Sequence, residues 1–377
     1  MTKLLLSFLS LFVWTSLPQP NAAPPPAAEA PHIQMALLLD TSNSMDGLIE
    51  QAKSQLWKMV NDLATSKKDG QAPQIEIALY EYGNDGLSGE KGYIRQVVAL
   101  TADLDLVSEQ LFSLKTNGGS EYCGWVIKDA TEQLEWSADN GDLKIITIAG
   151  NEPFTQGAID FRTSCKTAIS EGIIINTIFC GNYEEGVNTS WKEGADLADG
   201  KYFNIDPNRE IVHVPTPYDD QLLKLNQDLN GTYIGYGSLG EERLEMQKTQ
   251  DDNAAAYGAS NAAQRASFKA KKQYNNAEWD LVDAMEEDEA VLENVSDDAL
   301  PAEMKEMTKE EQKAFVEAKA NEREKIRKEI LDLERQANEY REAKLAEMEG
   351  EENTLDKVLR EAVREQAANK AFEFEKN

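Results

Sequence analysis

A short polar stretch directly after an apolar run holds the residues best suited to chemistry in this chain. Asp40, Ser42 and Ser44 stand at alternate positions, after the run 35–39 and before an amphipathic segment at 48–63. A carboxylate and two hydroxyls on the turn between a strand and a helix would form a compact cluster of oxygen atoms. Hard divalent cations take such ligands. The cluster therefore predicts a site for Mg²⁺, with Mn²⁺ or Ca²⁺ as related choices.

Two simpler explanations of this stretch have to be weighed. Ser42 or Ser44 could be an ordinary N-cap that satisfies free N–H groups of the following helix. A calcium-binding EF-hand loop is excluded by spacing, because it needs Gly at its sixth position and Glu at its twelfth, where this chain has Met45 and Gln51. The metal site and the N-cap both remain open from these residues alone.

Composition excludes several classes of function. The formal net charge of the 377 residues is −30, whereas a nucleic-acid-binding protein needs a basic face for the phosphates. Only His32 and His213 are histidines, and neither lies in a setting suited to a catalytic base or a zinc ligand. No phosphate-binding or dinucleotide-binding glycine motif is present. We therefore expect a protein that is not an enzyme and does not bind nucleic acid.

The N-terminus has the pattern of an export signal. Lys3 precedes the apolar stretch Leu4–Trp14, and the small residues Ala22 and Ala23 follow near a cleavage point. Residues 1–23 are predicted to be a signal peptide and 24–32 a Pro/Ala-rich linker. No later segment looks transmembrane. The mature chain is therefore expected to be periplasmic or secreted.

Residues 33–240 alternate between strand-like and helix-like segments. Such alternation predicts an α/β fold, a doubly wound and mostly parallel sheet with flanking helices and with ligands at the carboxyl ends of the strands. The short loop 83–92 is too short for a helical crossover, so the second and third strands are expected to be antiparallel. The predicted strands are 33–39, 75–82, 93–100, 143–149, 173–180 and 201–205, and the predicted helices are 48–63, 104–112, 123–136, 155–170, 190–197 and 219–229.

The composition changes in residues 241–377, where strands are not expected and charged residues dominate. We predict a charged, mainly α-helical region. An apolar seam covers only about two heptads, fewer than a true coiled coil needs, so long solvated helices folded back as hairpins are favoured over a coiled coil. Few apolar contacts are expected across residue 240, with 277–284 as the segment that could dock. The seam consists of Ile326, Ile330, Leu333, Ala337 and Tyr340.

The order Asp-x-Ser-x-Ser at Asp40 resembles the metal-ion-dependent adhesion site of von Willebrand factor type A (VWA) domains. The resemblance covers about 33–235 and includes Gly118-Gly119-Ser120, which stands where the family has a Gly-Gly-Thr-like loop whose hydroxyl reaches the cation. The family usually ends its fourth strand with Thr-Asp-Gly. This chain has Ala149-Gly150 there and could offer Asn151 or Glu152 instead. The whole chain also resembles uncharacterised bacterial exported VWA-domain proteins, including the stretches 150–154 and 178–181.

The resemblance implies an exported protein-binding module, in which an acidic side chain of a partner protein completes the shell of the cation. The alternative is a structural scaffold or spacer that works through the helical tail, with a degenerate metal site. A hydrolase with Ser120 or Cys123 as nucleophile lacks a plausible histidine base. If a disulfide exists, Cys123–Cys180 is preferred over pairings with Cys165, although connectivity cannot be deduced from sequence.

Overall fold

The structure is a computed structural model that describes residues 30–206, 214–347 and 355–374. The predicted signal peptide 1–23, linker residues 24–29 and His213 lie outside the described residues.

A six-stranded sheet forms the centre of the molecule. Its strand order is β4-β3-β1-β5-β6-β7, and every neighbouring pair is parallel except β3 and β4. The predicted α/β fold and the antiparallel pair are therefore confirmed. The strands are β1 His32–Asp40, β2 Ser66–Lys68, β3 Gln74–Tyr82, β4 Ile94–Thr101, β5 Leu143–Gly150, β6 Ile173–Cys180, β7 Tyr202–Ile205 and β8 Phe372–Phe374.

Helices cover both faces of the sheet, which explains why β1, β5 and β6 are nearly continuous apolar runs. The predicted helix 155–170 begins only at Phe161, because Asp160 accepts a hydrogen bond from the Arg162 amide as its N-cap. The helices are α1 Asp46–Leu63, α2 Leu104–Ser113, α3 Cys123–Gln133, α4 Phe161–Ser170, α5 Tyr183–Asn188, α6 Trp191–Asp196, α7 Asp219–Asn230, α8 Gly240–Ala256, α9 Ala259–Lys269, α10 Leu281–Glu287, α11 Val291–Asn294, α12 Lys309–Glu347 and α13 Leu355–Ala368.

The register of the sheet brings the ends of three strands to one edge. Asp40 at the end of β1 is opposite Tyr82 of β3, and Leu39 is opposite Ala149 of β5. The direction in which successive strands are added reverses at β1, with β3 on one side and β5 on the other. In open α/β sheets, ligands bind in the crevice outside the carboxyl ends at such a reversal. The fold therefore places Asp40 in the crevice.

The helical region packs on the α/β region through a shared core. One buried apolar cluster contains Trp57 of α1, Phe268 of α9, Ile330 of α12 and also Trp279, which precedes α10. The rings of Trp57 and Phe268 are 5.8 Å apart. The expectation of few apolar contacts across residue 240 is therefore wrong. The boundary at residue 240 remains a proposal, which rests on the change of composition between the two regions.

The predicted seam on α12 lies against helices of the same chain. Ile326, Ile330, Leu333 and Ala337 are buried, α12 packs on α7 and α9, and Tyr340 is exposed. Strands also persist after residue 240, because β8 pairs antiparallel with β2 near the end of α1. In the described parts of the chain, the seam thus serves packing within the chain.

The three cysteines are free and buried, so the preferred Cys123–Cys180 disulfide is not formed. None of the helices in the described ranges is long and apolar enough to cross a membrane.

Candidate metal centre

Asp40 is the last residue of β1 and is fully buried. Its Oδ1 accepts a hydrogen bond of 2.7 Å from the Ser42 amide, and the hydroxyl oxygens of Ser42 and Ser44 are 3.2 Å apart. Neither hydroxyl caps a helix, because no side-chain capping bond is made at the start of the short 3₁₀ turn 43–45 or of α1. The turn therefore brings the three predicted oxygen ligands together without using them as N-caps.

Asn151, directly after β5, reaches this cluster. Its Nδ2 donates a hydrogen bond of 3.1 Å to the Ser44 hydroxyl, and its Oδ1 is buried without a partner among the described residues. Glu152 is exposed, and its charge contributes to raising the pKa of Asp40. Asn151 and Glu152 were the two candidates to replace the family's aspartate at the end of β5. Asn151 thus makes the direct contact, and Glu152 acts through its charge.

The loop that carries Ser120 runs alongside the Asp40 turn. The Asn117 amide donates to the Thr41 carbonyl at 2.9 Å, and the Asp85 amide donates to the Gly118 carbonyl at 2.7 Å. These bonds fix the loop to residues that follow β1 and β3. Ser120 is half-buried on this loop, at the same edge of the sheet.

Glu121 is a functional candidate that the sequence analysis missed. It is only 3% exposed, and its carboxyl group lies within hydrogen-bonding reach of the Asp40 carboxyl group and of the Ser42 hydroxyl. The only signal in the sequence was its position next to Ser120. The structure thus adds a second buried carboxyl group to the predicted oxygen cluster.

The two carboxyl groups have no basic partner. Burial raises the pKa of Asp40, and burial together with the nearby Asp40 charge raises the pKa of Glu121. In the described part of the chain, no lysine, arginine or histidine forms an ion pair with either one. Glu81 nearby is equally buried but is paired with Arg95 at 2.6 Å. Asp40 and Glu121 must therefore share a proton or bind an external cation.

Unsatisfied oxygen atoms test whether a cation fits this place. Asp40 Oδ2, Glu121 Oε2 and Asn151 Oδ1 are all buried and accept no hydrogen bond from the described residues. Buried polar atoms normally have partners, so orphaned atoms in a native structure need an explanation, such as an ion. All are oxygens, the ligands that Mg²⁺, Mn²⁺ and Ca²⁺ prefer. The donor set therefore fits a hard divalent cation.

Two glycines explain how this centre departs from the family pattern. A Cβ added at Gly150 would collide with the Tyr82 hydroxyl and lie 3.1 Å from Asp40 Oδ2, so an aspartate does not fit there. A Cβ at Gly83, which has a φ of +77°, would lie 2.7 Å from Glu121 Cγ. The chain thus closes the usual position of the aspartate and opens room for Glu121.

The two candidate nucleophiles lack a histidine neighbour among the described residues. Cys123 is completely buried, and burial raises its pKa well above the ordinary value. His32 pairs with Glu76 at the start of β1, roughly 25 Å from Asp40 at about 3.3 Å per residue. No described histidine therefore stands near Ser120 or Cys123, and His213 lies outside the described residues.

In the ranges that the structure describes, no three or more His, Cys, Asp and Glu side chains are grouped as metal ligands. The candidate centre differs from such groups, because it combines two carboxyl groups with hydroxyl and amide oxygens.

Comparisons with known proteins concern the fold. No family model and no curated protein matches the chain. BatB from Bacteroides thetaiotaomicron is 16% identical, over 46% of this chain and 90% of its own, with a TM-score of 0.35. The SpRpn10 VWA domain is 15% identical, over 51% and 95%, with a TM-score of 0.35. Proximal thread matrix protein 1 from the mussel byssus, with a zinc-occupied MIDAS motif, is 13% identical, over 46% and 42%, with a TM-score of 0.33.

The α/β region has a VWA-like fold. Its strand order, its one antiparallel edge strand and the position of the Asp40 turn at the reversal of the sheet are properties of the chain itself.

Proposed function

We propose that this chain is a protein-binding module that captures a partner through a divalent cation held at the carboxyl ends of β1 and β5. Asp40, Ser42 and Ser44 would bind the cation, with Ser120 and Asn151 beside them and Glu152 contributing charge at the rim. Mg²⁺ is the proposed ion, with Mn²⁺ or Ca²⁺ as substitutes. When bound, the cation supplies a positive point charge that an acidic side chain of a partner can complete.

The observation that supports this proposal most is the set of orphaned buried oxygens on Asp40 and Asn151. A buried carboxylate without a counter-charge is costly to the folded state. Binding a cation removes this cost. A proton shared between Asp40 and Glu121 is the alternative way to remove it.

The rim beside the centre is suited to contact with a protein. Tyr93, Tyr122 and Trp125 are half-exposed, and the ring centroids of Tyr122 and Trp125 are 6.4 Å apart in a stacked arrangement. Aromatic side chains of this kind often dominate the energetics of protein interfaces. The proposed partner would thus meet the cation and the aromatic rim together.

Calorimetric titration of Mn²⁺ into the mature chain tests the proposal. The wild type should bind about one ion per chain, and Asp40→Asn should lose binding because it removes the central carboxylate. Glu90→Gln removes an exposed acid in the loop after β3 and should bind like the wild type. Equal binding by the wild type and Asp40→Asn would contradict the proposal. Capture of partner proteins from the native envelope should likewise be lost in chelator.

Export forms part of this proposal, because the pattern of residues 1–23 is that of a signal peptide. Mass spectrometry of the native protein should find a mature N-terminus between Ala22 and Pro31. A chain that retains Met1 would show that the module works inside the cell.

The alternative function as a spacer finds less support. A helix of 39 residues such as α12 would be about 58 Å long at about 1.5 Å per residue. However, α12 packs on α7, α9 and α10, so much of this length is used for packing within the chain.

A further inference from the structure

We propose that Glu121 is a ligand of the cation and supplies the second carboxylate of the centre. This inference rests on the proposed function, because it concerns the same site. Glu121 belongs neither to the Asp-x-Ser-x-Ser motif nor to the end of β5, so the family pattern does not assign it a role. The geometry of the crevice assigns it one.

The first argument is position. Glu121 is buried, and a Cβ added at Gly83 would lie 2.7 Å from Glu121 Cγ and 2.8 Å from Asp40 Oδ1, so the two acidic side chains lie side by side. Its amide donates a hydrogen bond of 2.7 Å to Gln156 Oε1, which fixes the backbone. Its Oε2 remains buried without a partner among the described residues. Glu121 therefore places an unsatisfied carboxyl oxygen in the same buried crevice as Asp40.

Glu121 can also replace a carboxylate that the crevice lacks at the end of β5. The aspartate that the family has at the end of the fourth strand does not fit at Gly150, because the Tyr82 hydroxyl occupies that space and donates to the Ala149 carbonyl at 3.0 Å. Glu121 enters from the opposite side, over Gly83. The centre therefore keeps two carboxylates although one of them comes from a different loop.

The third argument is charge. Two carboxylates balance the charge of one divalent cation, whereas Asp40 alone would leave half of it uncompensated in a buried place. With Glu121 as a ligand, the chain itself neutralises the ion. An acidic side chain of a partner would then bind a cation whose charge the chain already neutralises, as in a site with the two aspartates of the family pattern.

Mn²⁺ titration of the full mature chain, followed by calorimetry and by the rise in melting temperature at saturating Mn²⁺, tests this inference. Glu121→Gln keeps the size of the side chain and a hydrogen-bond donor towards Asp40 but removes the charge. We expect its affinity for Mn²⁺ to fall at least tenfold and its rise in melting temperature to shrink. Asp40→Asn is the positive reference, and Glu90→Gln is the control for charge alone.

The outcomes separate the inference from the proposed function. If Glu121→Gln binds Mn²⁺ like the wild type while Asp40→Asn does not, Glu121 is not a ligand and the proposed function stands. If the wild type binds no ion, both fall. If Glu121→Gln does not fold in chelator, Glu121→Asp takes its place, since it keeps the charge but withdraws it by one methylene. Affinity equal to that of the wild type in that variant would also overturn the inference.

Discussion

Among the described residues, the buried carboxylates of the crevice and those of the helical region have opposite surroundings. In the crevice, Asp40 and Glu121 face each other without a basic group. In the helical region, Asp280 and Asp283 both bind Arg323, at 2.6 and 2.7 Å. The crevice leaves acceptor oxygens orphaned, whereas in the helical region the chain supplies the cation.

A second buried arginine repeats the closed arrangement. Arg265 on α9 donates to Asp105 of α2 and Asp251 of α8, both at 2.6 Å, and lies 4.5 Å from the centre of the Trp57 ring. Lys269 adds a further contact to Asp251 at 3.0 Å. The pair of Arg265 with Asp105 joins the helical region to the α/β region. A buried acid pair with an arginine thus serves as a structural clamp, and one without it is available to an external ion.

Truncation after Gly240 should have the largest effect on this arrangement. It removes Arg265 and Phe268, which leaves Asp105 without its arginine and Trp57 without its cover. We expect a fragment 33–240 to aggregate or to lose near-UV circular dichroism, while a chain that retains the helical region stays folded. A soluble, protease-resistant fragment 33–240 would show that residue 240 separates two independent folding units.

Substitution of Arg323 should have the next largest effect. Arg323→Met leaves Asp280 buried without its arginine and leaves Asp283 only the contact with Arg327 at 3.4 Å, so the free energy of unfolding should fall by about 3–5 kcal/mol. Arg335→Met on the same helix removes an exposed i,i+4 pair with Glu339 and should change it by less than about 1 kcal/mol. Urea unfolding followed by circular dichroism measures both. Equal losses would mean that the buried clamp contributes no more than a surface pair.

The sequence predicted the sheet and the Asp40 turn better than the buried ion pairs of the helical region. Continuous apolar runs predicted the strands β1, β5 and β6, because these strands are buried on both faces of the sheet. The Asp40 turn was predicted because its candidate ligands are neighbours along the chain. The Asp-x-Ser-x-Ser order is a local pattern.

Contacts between distant residues were not predictable in this way. Glu121 meets Asp40 across 81 positions of sequence, and Arg265 meets Asp105 across 160. Nothing in the local pattern distinguishes Glu121 from the many exposed glutamates, or Arg265 from the exposed arginines of the charged tail. The charge-rich composition after residue 240 suggested a solvated region, although a few of its charges are buried and hold the two regions together.

Replacing a carboxyl group by its amide should have opposite effects at the two kinds of site. Glu121→Gln removes a buried acid without a counter-charge, so we expect it to stabilise the metal-free protein by about 1–2 kcal/mol at neutral pH. Burial alone would raise the pKa of Asp251, but Lys269 and Arg265 hold it well below the usual range. Asp251→Asn should therefore destabilise the protein by about 2 kcal/mol at pH 7.

The same comparison has a pH dependence with a defined sign. Because the folded-state pKa of Asp251 lies below its unfolded value, its contribution is present above about pH 4 and is lost as the pH falls through the folded-state pKa. The difference in unfolding free energy between the wild type and Asp251→Asn should therefore shrink between pH 5 and pH 2, as measured by urea unfolding in chelator. A destabilised Glu121→Gln, or an Asp251→Asn variant as stable as the wild type at pH 7, would mean that the surroundings of the two acids do not differ in energy. The site without a basic partner and the site paired with Arg265 and Lys269 would then differ in geometry but not in the free energy of their buried carboxyl groups.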